Sequence, residues 1–388
     1  MKICLLIDGL GPGGAERSTA HLSVWLKKHG HDVHVAMLHD RRPGFADEVV
    51  SQGIPMIYLG NTWWQRFYGL KKLLTNGDFD LLHSCLLSSD LLMRIVSLLS
   101  WGHRWNLSFS IVSNSYGSHR YKDASIKPWK LRVVQWIDAI SLKLSSPLAH
   151  AVTQSAKLNA IEHLGINPGY VTVVYRGRPE VLPVESRQKY RQILNLRAEA
   201  RVFVHVGRQE YAKNHIGLIA AFEQVWQKHP VARLLLVGRE GNTSAEVQQR
   251  LGVSPARDAI LCLGHRSDVS ELLRCADVFV LPSHYEGLSG AMIEAMEAGL
   301  PVICSDLDGL REGCEPDRSA LLCDPKRPET VAAAMNRMLD EPDLAQRLGA
   351  RGREIFLQRF TLEASCQGML AFFESVVAKS SRAGHTAH

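Results

Sequence analysis

The sequence predicts an α/β protein with two Rossmann-like, doubly wound parallel-sheet domains. Short apolar runs typical of strands alternate with longer amphipathic segments in both halves of the chain. One turn-rich, polar stretch near residues 178–200 interrupts this alternation. The length of 388 residues also suits two or three domains of ~150 residues each. Since strands separated by helices are joined by right-handed crossovers, we expect a parallel sheet in each half.

The first half opens with a buried strand and a helix. Lys2–Asp8 is the apolar run of the strand, and Ala15–His29 repeats apolar residues near a 3.6-residue period before Gly30 ends it. Further strands are predicted at Asp32–Leu38, Ile54–Leu59, Asp80–His83, Phe109–Ser113, Val152–Gln154 and Val171–Tyr175. We assign residues 1–180 to this domain.

The second half begins with a charged helix that ends near Ala198, followed by the strand Arg201–Gly207. Its other strands are predicted at Arg233–Val237, Ile260–Leu263, Val278–Leu281 and Pro301–Cys304. Residues 181–365 form the second predicted domain, and residues 366–388 a helix end with an unordered tail from Lys379. Two such domains leave a cleft at the carboxyl ends of their strands, where ligands bind.

Composition excludes several classes of protein. An apolar content of 46% with 22% charged residues excludes a disordered, collagen-like or coiled-coil chain. The longest apolar stretch, Leu91–Trp101, is interrupted by Arg94, so we expect no membrane span. The chain starts directly with a strand pattern rather than a signal peptide. Eight cysteines without a CxxC pair indicate reduced thiols, no zinc and a cytoplasmic protein.

Net positive charge and tryptophan are concentrated in the first half. Residues 1–180 hold 20 Lys and Arg against 13 Asp and Glu, whereas the remainder holds 25 against 26. Seven of the eight tryptophans also precede residue 180. This asymmetry favours an anionic surface or ligand for the first domain, with a merely solvated basic face as the alternative.

A glycine-rich turn follows the first strand. Gly9, Gly11 and Gly14 fit the GxGxxG spacing, and Asp40 ends the second strand, as in nicotinamide-dinucleotide sites. Pro12 removes one amide that would face a phosphate. The loop therefore has three interpretations: nicotinamide binding, approach of backbone amides to a donor phosphate or acceptor, or a structural turn.

Two further motifs follow strands of the second domain. Gly207, Arg208 and Lys213 come directly after its first strand, where a guanidinium fork and an ammonium suit a diphosphate. After the strand Val278–Leu281, Glu286 lies in a glycine-containing loop, and Ser289 is expected to cap a helix that ends at Ala298. The free amides of that helix start form an anion site. These amides belong to Ser289, Gly290 and Ala291. Glu294 lies roughly 6 Å further along the helix axis, at a rise of ~1.5 Å per residue.

This ordered series of motifs resembles the retaining family 4 glycosyltransferases, which have the GT-B fold, over nearly the whole chain. The matching segments are Gly13–Arg17, Gly30–Val33, Val206–Arg208, Lys213–Asn214, Leu236–Gly238, Leu263–Val269, Ala276–Ser283, Glu286 to Glu294, and Gly309 with Glu312.

The resemblance implies a role for each site residue. Arg208 and Lys213 would neutralise the leaving diphosphate of a nucleotide sugar, and Glu286 would bind donor-sugar hydroxyls; these three are the predicted catalytic residues. Glu294 would bind the ribose. The remaining donor-binding residues are Gly14, Gly207, His265, Arg266, Ser289, Gly290 and Ala291. The resemblance also implies retention of configuration and no metal or cofactor beyond the UDP- or GDP-linked donor. Two DxD patterns are not interpreted as metal sites: Asp78–Asp80 precedes a strand, at the wrong end for the cleft, and Asp306–Asp308 is more simply a turn.

The acceptor is expected to bind the first domain. Similar proteins carry a histidine after the fourth-strand region, where this chain offers Tyr116 and His119; His83 is a third candidate. Aromatic residues alternate with basic ones in Thr62–Lys72 and His119–Trp136, which suits a membrane interface. We expect a glycan or lipid-linked acceptor in polysaccharide or glycolipid synthesis, contact with an anionic membrane on its inner face, and no nucleic acid.

Two other classes of protein remain as alternatives. A nicotinamide-dependent oxidoreductase would use the first glycine loop but leaves the charged residues of the second domain unexplained. An inactive sugar-binding protein on the same fold is disfavoured by the complete set of Arg208, Lys213, Glu286 and Glu294.

Overall fold

A computed structural model describes residues 1–40, 44–100, 103, 105–117, 120 and 126–385, with side chains described as far as residue 379. The chain forms two compact units. The first unit comprises the described residues up to Gly177 and those from Leu362 onward, and the second comprises Arg178–Thr361. Among the described residues, no helix is long and apolar enough to cross a bilayer.

The first unit contains a seven-stranded parallel sheet in the order β3-β2-β1-β4-β5-β6-β7. Its strands are β1 (Lys2–Ile7), β2 (Asp32–Met37), β3 (Met56–Tyr58), β4 (Leu81–Cys85), β5 (Leu107–Ile111), β6 (Leu148–Ala151) and β7 (Val171–Val173). Its helices are α1 (Gly14–Lys28), α2 (Ala46–Ser51), α3 (Trp63–Gly77), α4 (Leu87–Leu98), α5 (Pro128–Ser145), α6 (Gln154–Leu164) and the C-terminal helix, α15 (Leu362–His385).

Both faces of this sheet are buried, because successive strand residues point to opposite sides. Ile3, Leu5 and Ile7 pack in a core with α1, α2 and α15. Cys4 and Leu6 pack in a second core beneath α3, α4, α5 and α6. Helices on both faces account for strands that are apolar throughout rather than alternating.

The second unit contains a six-stranded parallel sheet in the order β10-β9-β8-β11-β12-β13. Its strands are β8 (Arg201–Val206), β9 (Ala232–Val237), β10 (Ile260–Gly264), β11 (Val278–Leu281), β12 (Val302–Ser305) and β13 (Ala320–Cys323). Its helices are α7 (Arg187–Ile193), α8 (His215–Lys228), α9 (Ser244–Gly252), α10 (Val269–Cys275), α11 (Gly290–Glu297), α12 (Asp308–Arg311), α13 (Pro328–Asp340) and α14 (Pro342–Ile355).

The predicted fold class is confirmed, whereas one predicted strand is displaced and another strand was not predicted. The strand predicted at Val152–Gln154 lies at Leu148–Ala151, because Thr153 caps α6 through its hydroxyl. Strand β13 was not predicted. Helix α15 continues to His385, beyond Lys379, where an unordered tail was expected to begin, and its residues from Cys366 to Val376 pack on the first sheet.

Candidate active site

The second sheet has a topological switch point between β8 and β11. The chain runs outward from β8 to β9 and β10, and then returns to the other side of β8 as β11. In open α/β sheets the connections diverge at such a point and leave a crevice at the carboxyl ends of the strands. The predicted donor-binding residues of this unit follow the strands that meet there.

Three glycine turns lie side by side at this edge. Gly238 has φ 151°, and a Cβ atom there would lie 1.9 Å from the carbonyl oxygen of Gly207, so only glycine fits. The Gly238 amide donates to the carbonyl of Gly264 at 2.8 Å, and Gly264 has φ 62°. The turns after β8, β9 and β10 therefore form one continuous rim.

Lys213 and Glu286 meet at the switch point. The Nζ atom of Lys213 lies 2.6 Å from Oε2 of Glu286, and both side chains are mostly buried. The side chain of Lys213 passes over Gly207, where a Cβ atom would lie 3.2 Å from its Cγ. Arg208 is half-exposed, and its Nη1 donates to Oε1 of Glu210 at 2.7 Å. The structure thus brings together Lys213 and Glu286, with Arg208 on the same turn.

Asn214 fixes the two loops that carry this pair. It has φ 53°, and its Oδ1 accepts from the Gly217 amide, capping α8. Its Nδ2 donates to the carbonyls of Pro282 at 3.1 Å and Pro325 at 2.7 Å. Nearby, the His284 amide donates to the carbonyl of Ala212 at 2.8 Å. These bonds tie the segment before α8 to the loop after β11, and so hold Lys213 near Glu286.

Two buried histidines lie beneath the Gly207 turn. His205 donates from Nδ1 to the Val280 carbonyl at 2.8 Å, and the His215 ring stands edge-on to it at 4.7 Å. Burial lowers the pKa of His215 to about 4, and burial with the neighbouring His215 holds the pKa of His205 well below its usual range. Both rings are therefore neutral near pH 7, and they add no positive charge to that of Arg208 and Lys213.

The start of α11 is packed against an arginine that the sequence analysis did not select. Arg178 is fully buried, and its Nε donates to Oε1 of Glu294 at 2.8 Å. A Cβ atom on Gly290 would lie 2.2 Å from Nη2 of Arg178, so glycine leaves room for the guanidinium. Ser289 occupies the position before the helix, but its side chain makes no capping bond, contrary to expectation. The only sequence signal for Arg178 was its place at the start of the turn-rich stretch near residues 178–200.

A glycine also controls how closely α12 approaches the Glu286 loop. A Cβ atom on Gly309 would lie 2.8 Å from the carbonyl oxygen of Gly287 and 2.9 Å from that of Glu286. The backbone beside Glu286 is therefore packed directly against α12. At the same edge, Asp306 pairs with Arg311, consistent with a turn.

The residues predicted to contact the base lie on the rim after β10. His265 is exposed. Arg266 is held by Asp268, with Nε to Oδ1 at 2.8 Å and Nη2 to Oδ2 at 2.5 Å. The guanidinium is thus fixed in orientation by a carboxylate within the loop.

The other predicted residues belong to the first unit. Gly14 begins α1, and a Cβ atom there would lie 3.3 Å from Nη1 of Arg176. His83 is buried with each ring nitrogen 2.9 Å from a serine hydroxyl, and burial lowers its pKa to about 3, which favours a structural role. Tyr116 donates to Oδ2 of Asp138 at 2.7 Å. His119 lies outside the described residues.

Basic side chains and a helix start that follow the strands at a switch point are typical of α/β proteins that bind phosphorylated ligands. Two family models match the chain, Glycosyltransferase Family 4 at residues 12–179 and Glycosyl transferases group 1 at residues 186–355. The chain belongs to the family 4 glycosyltransferases of the GT-B fold and is a glycosyltransferase of glycan biosynthesis. The predicted family is confirmed, and the oxidoreductase alternative is not favoured.

Three known proteins illustrate the similarity. The putative glycosyltransferase EpsD of Bacillus subtilis is 26% identical over 86% of this chain and 87% of its own length. An Escherichia coli UDP-Gal:α-D-GlcNAc-diphosphoundecaprenol α-1,3-galactosyltransferase is 26% identical over 62% of this chain and 61% of its own length. The Anabaena protein Alr3699/HepE, solved in complex with UDP-glucose, superposes with a TM-score of 0.83 at 20% identity, covering 97% of this chain and all of that one.

Proposed function

We propose that the chain transfers a sugar from a UDP- or GDP-linked donor to a glycan or lipid-linked acceptor, with retention of configuration and without a metal. The observation that carries the proposal is the pairing of Lys213 with Glu286 at the switch point of the second sheet. It places an ammonium and a carboxylate side by side, beside a helix start that suits phosphates.

Each charged group has a distinct task in this reaction. Cleavage of the donor leaves negative charge on a diphosphate, which the Lys213 ammonium and the Arg208 guanidinium stabilise. The first amides of α11 bind the same phosphates. Lys213 then exchanges its carboxylate partner for phosphate, and Glu286 accepts hydrogen bonds from the sugar hydroxyls. Glu294, oriented by Arg178, binds the ribose hydroxyls.

The relatives support the choice of donor and acceptor. The E. coli relative is named for a UDP-linked sugar and a diphosphoundecaprenol acceptor, and the Anabaena structure contains UDP-glucose. A thermal-shift panel of UDP-, GDP- and ADP-sugars tests the donor. We expect one nucleotide series to raise the melting temperature, and to do so equally with EDTA. A panel in which no nucleotide sugar stabilises the protein would overturn the proposal.

Peripheral contact with the inner face of an anionic membrane is part of this proposal. The helices α3, α4 and α5 lie over one core and pack in a row on the same face of the first sheet. On α5, six large apolar side chains recur at helical spacing and are exposed, among them Trp136 at 67%. They are Trp129, Val133, Trp136, Ile137, Ile140 and Leu144. Trp63, Trp64 and Tyr68 of α3 are exposed as well.

The charges of these three helices are segregated. Their only acids, Asp90 and Asp138, are buried. Apart from the buried Arg94, their basic side chains are at least partly exposed: Arg66, Lys71, Lys72, Lys130, Arg132 and Lys143. A face with aromatic and aliphatic side chains, basic residues and no exposed acid complements an anionic bilayer.

Replacing Trp129 and Trp136 together by serine should abolish most membrane binding. We expect the unaltered protein to float with vesicles that contain phosphatidylglycerol, and the double variant to bind about tenfold more weakly or worse, because two exposed aromatic anchors are lost. A control with Leu182 and Val184, both exposed in the second unit, changed to serine should float normally. Absence of flotation with any vesicle would refute the membrane contact.

A further inference from the structure

Three buried cysteines of the second unit lie together at the carboxyl ends of β12 and β13. Cys304 belongs to β12 and Cys323 to β13, and Cys314 follows α12. The Cys323 thiol donates to the Cys304 carbonyl at 3.4 Å, and the thiols of Cys304 and Cys314 are hydrogen-bonded to each other. A buried cysteine usually packs as a small apolar residue, but two thiols in contact can be joined by oxidation.

The two thiols in contact differ in acidity and in access. The hydrogen bond with Cys304 and the nearby Arg311 guanidinium lower the pKa of Cys314, although burial opposes them. The same hydrogen bond, together with burial, raises the pKa of Cys304 well above its usual range. Cys314 is 7% exposed, whereas Cys304 is completely buried. Since the thiolate is the reactive form, Cys314 is the thiol that an oxidant reaches and attacks first.

The segment that carries Cys314 packs directly against the loop of Glu286. A Cβ atom on Gly313 would lie 2.9 Å from Cδ1 of Leu288, a buried residue of that loop. Gly309, at the other end of the same segment, lies against the backbone beside Glu286. Because close-packed contacts of this kind leave no free space, a displacement of Cys314 is passed on to the loop.

We propose that Cys304 and Cys314 form a reversible disulfide when the protein meets a peroxide, and that this bond lowers the activity of the enzyme. The Cys314 thiolate attacks hydrogen peroxide and becomes a sulfenic acid, and the released hydroxide takes up the thiol proton to give water. The Cys304 thiol then attacks the sulfenic sulfur, forms the S–S bond and releases a second water. A dithiol reductant reverses the reaction and is itself oxidised to a disulfide.

The loss of activity follows from the packing around the pair. A covalent S–S bond is shorter than a hydrogen bond between thiols, so its formation draws Cys314 towards β12. Gly313 moves with Cys314, and its contact with Leu288 shifts Glu286 away from its place beside Lys213. Formation of the bond is independent of the proposed function, whereas the loss of activity rests on the role proposed there for Glu286.

Mass spectrometry after trypsin digestion detects the bond, because trypsin places the three cysteines in separate peptides. Cys304 lies in residues 275–311, Cys314 in 312–318 and Cys323 in 319–326. The reduced protein is treated with hydrogen peroxide, and its remaining thiols are alkylated before digestion. We expect a cross-link between the first two peptides, which fragmentation assigns to Cys304 rather than Cys275. Dithiothreitol should remove it.

The effect on the enzyme is measured in the same samples. Release of nucleoside diphosphate from UDP-glucose or GDP-glucose should fall about tenfold or more on oxidation and recover with dithiothreitol. Amide hydrogen exchange in residues 284–290 should change in parallel, and this measurement does not depend on the donor. If the reduced protein hydrolyses neither donor, the proposed function is in question, while the cross-link and the exchange still decide the present inference.

Variants of the pair should resist peroxide. Cys314→Ser, which keeps a donor for the Leu310 carbonyl, and Cys304→Ala should each form no cross-link and keep their activity and exchange pattern. The matched controls are Cys323→Ser, which removes the neighbouring thiol, and Cys262→Ser, which removes an exposed one; both should respond as the unaltered protein does. Thermal unfolding in the reduced state checks the folding of each variant.

Three results would overturn the inference. They are the absence of a cross-link between peptides 275–311 and 312–318, a bond that joins Cys323 instead, and equal loss of activity in Cys314→Ser and the unaltered protein. A cross-link that leaves both turnover and exchange unchanged would also overturn it, because the bond would then have no effect on the loop of Glu286.

Discussion

Replacing Lys213 by methionine should lower the rate of sugar transfer by a factor of about 10² to 10³. Methionine keeps the length and apolar stem that pass over Gly207 but removes the ammonium, 2.6 Å from Glu286. The ammonium acts on charge that develops as the donor bond breaks, so kcat should fall more than KM rises. Lys213→Arg should not keep the normal rate, because a planar guanidinium does not replace the compact ammonium group beside Glu286.

The matched control is Lys228→Met, which removes an exposed lysine paired with Asp340 in the same unit. Steady-state kinetics with saturating acceptor should show an unchanged kcat for Lys228→Met. Loss of the Lys213 ammonium also leaves Glu286 without its partner. In the double variant, the effects of Lys213→Met and Glu286→Gln on the rate of sugar transfer should therefore be less than additive. Transfer by Lys213→Met at more than a tenth of the normal kcat would contradict the assigned role.

Much of the fold could be predicted, because buried parallel strands are short apolar runs and turn residues mark where each run ends. Strand β8 was expected at Arg201–Gly207 and is found at Arg201–Val206. Strand β13 was missed, since its four residues lie among polar turns. The return of α15 to the first unit could not be foreseen, because its apolar face does not specify which sheet it covers.

The candidate site was predicted where motif and topology agree. Lys213 and Glu286 lie 73 residues apart in sequence, and strand order alone brings their loops together. Arg178 was missed because its importance comes from a contact with Glu294 across 116 residues of sequence. The raised pKa of Asp90 was missed for a related reason: a single acid in an apolar helix gives no sequence signal until its burial is known.

Asp90→Asn should make the first unit more resistant to unfolding at alkaline pH and leave it nearly unchanged near pH 4. The carboxyl pKa is raised from 3.8 to about 7 by burial, so between these values the folded chain binds more protons than the unfolded chain. Stability therefore falls as pH rises through this window, and the full penalty is present above pH 7. Asparagine cannot ionise, keeps an oxygen for the Ser84 hydroxyl, and removes the penalty.

The stability difference between variant and unaltered protein should grow by roughly 2–3 kcal/mol from pH 5 to pH 8. Urea unfolding followed by tryptophan fluorescence measures it selectively, since seven of eight tryptophans precede residue 180. Parallel curves for Asp90→Asn and the unaltered protein would mean that Asp90 ionises freely. The change in this difference between pH 5 and pH 8 gives the free-energy cost of ionising the buried Asp90 carboxyl in the folded chain.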